Sequence, residues 1–198
     1  MISRTNYSVF DEIRNCRLCL SSVPPIAVDP RPIICGSSKS KIRIIGQAPG
    51  TRVYNSGIAF DDPSGDRLRA WLGVNRDIFY NQDVFAITPM GFCFPGLDKK
   101  GGDLPPRKEC APLWQPRLET EFPNVELTLL VGMYSQAYYL RKRKYKTLTE
   151  TVKNWREYGP DIIPLPHPSW RNTSWIKKNP WFDDVTSHLK DRVATILN

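Results

Sequence analysis

Four short apolar runs, each cut off by a glycine or a proline, limit the folds open to this chain more than any other feature. They are Lys41-Ile42-Arg43-Ile44-Ile45 before Gly46, Asp83-Val84-Phe85-Ala86-Ile87-Thr88 before Pro89, Leu127-Thr128-Leu129-Leu130-Val131 before Gly132, and Asp161-Ile162-Ile163-Pro164-Leu165 before Pro166. Short apolar runs bounded by breakers predict buried strands. Between and around them lie stretches of helical character at about 7–20, 64–72, 109–121, 135–140 and 182–197, the last amphipathic. Strands alternating with helices predict an α/β protein, a three-layer αβα sandwich around a central, mostly parallel four-stranded sheet. Residues 20–40 are proline-rich and are expected to be extended, and 89–108 to form a long irregular loop. The 198 residues suit one domain over 1–198, with 1–40 as an N-terminal helix and extended segment.

In open α/β sheets the working loops leave the carboxyl ends of the strands. Here those loops are Gly46-Gln47-Ala48-Pro49-Gly50, the segment from Thr88 to Cys93, and Pro166-His167-Pro168-Ser169. The charge points to an anionic partner: 28 Lys plus Arg against 20 Asp plus Glu leave +8. Nucleic acid is the commonest polyanion, because each phosphate neutralised releases counterions. The densest basic block is Arg141-Lys142-Arg143-Lys144-Tyr145-Lys146, a run that by itself reads as a solvated face. There is no apolar stretch of the roughly 18 residues that a membrane helix needs. Met1 to Tyr7 lacks the apolar core of a secretory signal, so a cytoplasmic, nucleoid-associated monomer is expected. The cysteines number five, odd and too few for a disulfide scaffold, which turns attention to metal ligation or buried thiols in a reducing compartment.

The order of these pieces resembles the uracil-DNA glycosylase superfamily. The glycine-polar-proline loop Gly46 to Gly50 follows the first strand, Phe60 comes ten residues later, and His167-Pro168-Ser169 follows the fourth strand. The resemblance spans 41–197. The cysteines narrow it: Cys16 and Cys19 are spaced C-x2-C, and Cys93 and Cys110 have 16 residues between them. This arrangement is similar to the iron–sulfur class, family 4, which holds a 4Fe–4S cluster on two N-terminal and two central cysteines. Four soft thiolates at one point suit iron–sulfur or zinc. Cys35 is left over as a buried thiol, or exchanges with Cys19.

The resemblance implies a DNA glycosylase. Its substrate would be DNA with uracil or another deaminated base, cut at the N-glycosidic bond after the base leaves the stack. It further implies that Phe60 stacks on the base and that Gln47 and Ala48 meet base and leaving oxygen through their backbone. His167 would donate a hydrogen bond to the oxygen on which charge develops. Ser169, Arg171, Lys177 and Lys178 would contact phosphate, and Trp170, Trp175 and Trp181 would wedge the duplex or fill the core. His188, the other histidine, reads as a surface residue on the last helix.

Two positions depart from that class. Gln47 stands where it typically has Glu. Pro89 stands where its central strand ends in an Asn that pairs with the base edge, and proline offers neither an N–H nor a polar side chain. The first motif also lacks an acid to activate water. Asp61 and Asp62 are the nearest carboxylates, and Asp61 is taken as the candidate against a plain loop or cap role. Pro89 supports an alternative, a catalytically impaired glycosylase-like DNA-binding module. A zinc-stabilised hydrolase of small nucleotides would explain the cysteines but not the charge.

Overall fold

Alternate side chains of a strand enter opposite layers, and this sorts the four apolar runs. In β1 (Ile42–Ile45) the residues Ile42 and Ile44 join one apolar cluster, while Ile45 joins another on the other face. β2 (Phe85–Ile87), β3 (Leu127–Val131) and β4 (Ile162–Leu165) follow the same rule. Phe85, Ile87, Leu127, Leu129, Val131, Ile163 and Leu165 lie on the first face, and Ala86 and Leu130 on the second. These assignments come from a computed structural model that describes residues 8–22, 24 and 26–198; the readings made above for residues 1–7 lie outside that range.

The four strands form one sheet in the order β2-β1-β3-β4, with every neighbouring pair parallel. The first face is covered by α3 (Pro63–Leu72) and α9 (Phe182–Leu197), through Leu68, Trp71 and Leu72 and through Phe182, Val185, Leu189, Val193 and Ile196. The second face is covered by α1 (Val9–Arg14), α5 (Cys110–Leu118) and α6 (Met133–Leu140). The αβα sandwich is therefore present, and its sheet is wholly parallel among the described residues. In this order the chain builds outward from β1 first to one side and then to the other, which sets a topological switch point beside β1 at the strands' carboxyl ends.

The N-terminal helix is shorter than its apolar spacing predicts. It ends at Arg14, where Asn15 closes it with N–H bonds to the Asp11 and Ile13 carbonyls. Arg17 then donates to the Arg14 and Cys16 carbonyls, and only a 3-10 turn, Leu18–Leu20, follows. The Cys16–Cys19 pair is thus presented from a turn. Four short helices escape the sequence reading: α2 (Thr51–Ser56), α4 (Arg76–Tyr80), α7 (Leu148–Lys153) and α8 (Thr173–Lys178).

A charge is buried in the second face. Arg43, in the middle of β1, is 3% exposed. Its guanidinium donates to Thr88 Oγ1 at 2.9 Å, Glu119 Oε1 at 2.8 Å and Gln115 Oε1 at 2.7 Å. A buried charge is tolerable only when partnered in this way. Gln115 then spends its amide on the Thr88 and Pro89 carbonyls, at 3.2 and 2.9 Å. One buried network thereby ties β1, α5 and the loop after β2 together.

Candidate active site

The loops after β1, β2 and β4 converge on a cleft of about 690 Å³. Two backbone bonds stitch the first two loops: Met90 N–H to the Gly46 carbonyl at 3.0 Å and Gly91 N–H to the Gln47 carbonyl at 2.9 Å. Of the residues singled out from the sequence, Gln47, Ala48, Phe60, Asp62, Pro89, His167, Ser169, Trp170 and Arg171 line this cleft. Phe60 and His167, 107 positions apart in the chain, share it.

Phe60 is held by strain and by glycine. Its φ is +55°, a conformation few side chains other than Asn or Asp adopt. A Cβ at Gly65 would lie 1.8 Å from the Phe60 carbonyl oxygen, so only glycine lets α3 start beneath this turn. Tyr80 donates to the neighbouring Ala59 carbonyl at 2.9 Å, and the Phe79 ring meets Phe60 edge-on at 6.2 Å. A Cβ at Gly46 would come to 3.4 Å of the Phe60 ring, which therefore stands over the first loop.

His167 is half-buried. Burial pushes its imidazole pKa down, against the opposing pull of the Asp62 charge, so the ring is neutral at pH 7. Asn172 Nδ2 donates to the His167 carbonyl at 2.7 Å, and Arg67 donates to the Ser169 carbonyl at 2.8 Å and to Thr173 Oγ1 at 3.1 Å. Upstream, Gln136 donates to the Leu165 carbonyl at 2.8 Å. The loop is fixed at both ends.

The carboxylates divide differently from the sequence reading. Asp61 does not line the cleft; it pairs with Arg76 at 2.8 Å, and that hydrogen bond holds its carboxyl below the usual range. Asp62 lines the cleft instead and caps α3, accepting from Gly65 N–H at 2.8 Å. The legible signal was Asp62-Pro63, a cap residue followed by proline at the first helical position. A second carboxylate, Asp103, also reaches in. The residue is largely exposed, yet its Oδ2 lies 3.1 Å from where a Gly50 Cβ would stand. Burial of the carboxyl raises its pKa, partly offset by Arg171.

Lys177 and Lys178 end α8 outside the cleft lining. The block Arg141 to Lys146 is farther still. It follows α6 and packs on the turn before β4, with Tyr145 Oη on Glu157 at 2.7 Å and Arg143 over the Tyr158 ring, at the amino edge of the sheet. Trp175 packs edge-on against Trp181 and Phe182 at 5.6 and 5.5 Å. Trp170 is 74% exposed on the cleft's rim. His188 is exposed as expected and stacks on Trp155 at 4.4 Å.

Cys16, Cys19, Cys93 and Cys110 line one small cavity together with Arg107, Pro30 and Pro32. Burial, reinforced by neighbouring thiols, pushes Cys93 and Cys110 up to about 12 and raises Cys19. Arg107 reaches back from the central loop to Ser22 and the Pro24 carbonyl, pinning the N-terminal segment beside these thiols. Among the described residues no three His, Cys, Asp or Glu side chains gather closely enough for a single metal ion. Cys35 stands apart in a bridge to Ile87, its thiol pushed up to about 11 by burial.

Against known proteins, the description of the uracil DNA glycosylase superfamily matches residues 34–190. The chain is also 29% identical over 176 residues to the type-4 uracil-DNA glycosylase of Saccharolobus solfataricus, covering 81% of this chain and 74% of that one. With most of its length matched, the chain belongs to the uracil-DNA glycosylase superfamily, a membership that supports glycosylase-type hydrolysis.

Proposed function

We propose that this protein removes uracil or another deaminated base from DNA by hydrolysing the N-glycosidic bond. The observation that carries the reading is the convergence of Phe60 and His167 on one cleft, with basic Arg171 and aromatic Trp170 at its rim.

A flipped base needs a flat platform, a donor for the charge that develops as it leaves, and a positioned water. Phe60 serves as the platform, its ring backed by Gly46. Neutral His167 donates to the base oxygen, and a preorganised donor of this kind is worth about 3 kcal/mol. The backbone at Gln47 and Ala48 faces base and sugar, and Pro89 supplies an apolar wall. The bond from the base nitrogen to C1′ breaks with both electrons leaving on the base. Water oxygen bonds to C1′, its proton passes by way of Asp62 to solvent, and the base takes a proton from solvent. Asp62, not Asp61, is the water-orienting carboxylate in this scheme. Ser169 and Arg171 contact phosphate beside the flipped nucleotide, Lys177 and Lys178 contact it farther along, and Trp170 wedges the stack.

The four thiols fit a 4Fe–4S cluster. Four soft thiolates lining one cavity are the donor set such a cluster takes. Cys16, Cys19, Cys93 and Cys110 would hold it, and it would cross-link the N-terminal turn to the central loop without taking part in bond cleavage. The protein acts as a cytoplasmic monomer; among the described residues no helix is long and apolar enough to cross a membrane.

Pro89 favours a second reading, a DNA-binding module that has lost base release. Oligonucleotides carrying uracil, hypoxanthine or xanthine, assayed for abasic sites, test between them. Release from at least one lesion, strongly reduced in His167→Ala, supports the glycosylase. Salt-dependent binding without release from any lesion supports the module.

A further inference from the structure

The long loop after β2 hides a small ordered hairpin. Leu97 and Asp103 pair as an antiparallel bridge, and Leu104 N–H bonds the Gly96 carbonyl at 2.9 Å. Asp98 closes the tip. Its N–H bonds the Gly102 carbonyl at 2.7 Å, and its carboxylate accepts from the N–H groups of Lys100 and Gly102 at 2.8 and 2.9 Å. Those two backbone bonds hold the Asp98 carboxyl below its usual range.

The consequence lies at the tip. The Asp98 carboxylate is turned inward onto the backbone, and Lys99 and Lys100 are both exposed. Leu97 is 49% exposed at the base of the hairpin and lines the cleft, as does Trp170 at 74%. Two large apolar side chains are thus bared along the lining of one cleft. The hairpin also stands next to the motif that carries His167: Arg171 is near enough to stabilise the charges of both Asp98 and Asp103.

Resting on the glycosylase reading, we propose that the 97–103 hairpin is a second duplex-opening element. Leu97 fills space vacated in the stack beside the extruded base, and Lys99 and Lys100 hold the flanking phosphates. Apolar wedges that unstack base steps work in this way, and their value depends on there being a stack to open. The occupant is double-stranded DNA, because two exposed lysines, neither in an ion pair among the described residues, stand beside the apolar residue, and Arg171 adds a third positive charge at the same rim. Trp170 belongs to the segment after the fourth strand; the hairpin comes from a different loop and acts independently of it.

The test compares wild type, Leu97→Ala and the double variant Lys99→Glu/Lys100→Glu on one lesion, in a single strand and in a duplex. The ratio of duplex to single-strand kcat/KM should fall roughly tenfold in Leu97→Ala. The double variant should lower the salt slope of binding to undamaged duplex by about 2. Equal losses on both substrates, or no change in ratio and slope, overturn the proposal. If wild type releases no base from either substrate, the glycosylase reading fails. The salt slope on undamaged duplex then still decides whether the hairpin meets DNA.

Discussion

Replacing Gln115 by leucine tests whether the buried network sets the position of the Pro89 wall. The side chain is 1% exposed, and its amide nitrogen serves the Thr88 and Pro89 carbonyls. Its oxygen accepts from Arg43 at 2.7 Å and from Tyr139 Oη at 2.8 Å. Leucine keeps most of the volume and removes all four bonds. Two buried carbonyls stripped of donors cost about 1–3 kcal/mol each, and Arg43 retains Thr88 and Glu119 but loses a third acceptor. Because these losses share one network they do not simply add, and about 3–5 kcal/mol is expected. With a urea slope of about 2–3 kcal/mol/M, the unfolding midpoint should fall by about 1–2 M. Gln115→Glu keeps an acceptor for Arg43 but turns an acceptor toward two carbonyls, so it should be no milder. Urea unfolding followed by tryptophan fluorescence reads both. A loss below about 0.5 kcal/mol in Gln115→Leu, the size of an ordinary surface change, would refute the reasoning.

Three further outcomes follow from the same geometry. Burial lowers the His167 pKa below the ordinary 6.5, so the unfolded chain binds the proton first; its contribution to stability is complete above about 6.5 and is lost as pH falls toward the lowered value. The acid limb of base release should therefore lie below pH 6.5 and vanish from the residual activity of His167→Ala, as pH–rate profiles would read. Gly65→Ala would gain about 1 kcal/mol from helix propensity alone, but its Cβ collides with the Phe60 carbonyl; a net loss of about 2 kcal/mol is expected in thermal unfolding, together with weaker base release. Anaerobically purified protein should be brown, with absorbance at about 400 nm that Cys110→Ser abolishes, whereas a colourless zinc-loaded protein would contradict the cluster.

The strands were legible because each apolar run carries its own stop, and the alternation along Ile42, Ile44 and Ile45 already sorts the layers. The missed helices are five or six residues long, too short for a period to register. Their caps were readable all the same: Asn75 accepts from Ile78 N–H, and Thr147 with Glu150 forms a capping box. Phe60 and His167 were singled out through the family resemblance, and both line the cleft. Asp62 went unseparated from Asp61 although Asp62-Pro63 carries a cap signal; what the sequence does not show is the Arg76 ion pair that draws Asp61 away from the cleft. Nothing local marks Arg43 as the centre of a buried network. Its partners Gln115 and Glu119 lie more than 70 residues away, and no local pattern shows a network closed at that range.

The most direct measurement uses NMR on protein labelled at histidine and phenylalanine, titrated with a duplex carrying a 2′-fluoro-deoxyuridine that resists hydrolysis. A base seated between platform and donor should move the His167 ring protons and shift the Phe60 ring protons upfield at the same DNA concentration. Binding that leaves both residues unmoved, or that shifts one without the other, would contradict a single base pocket.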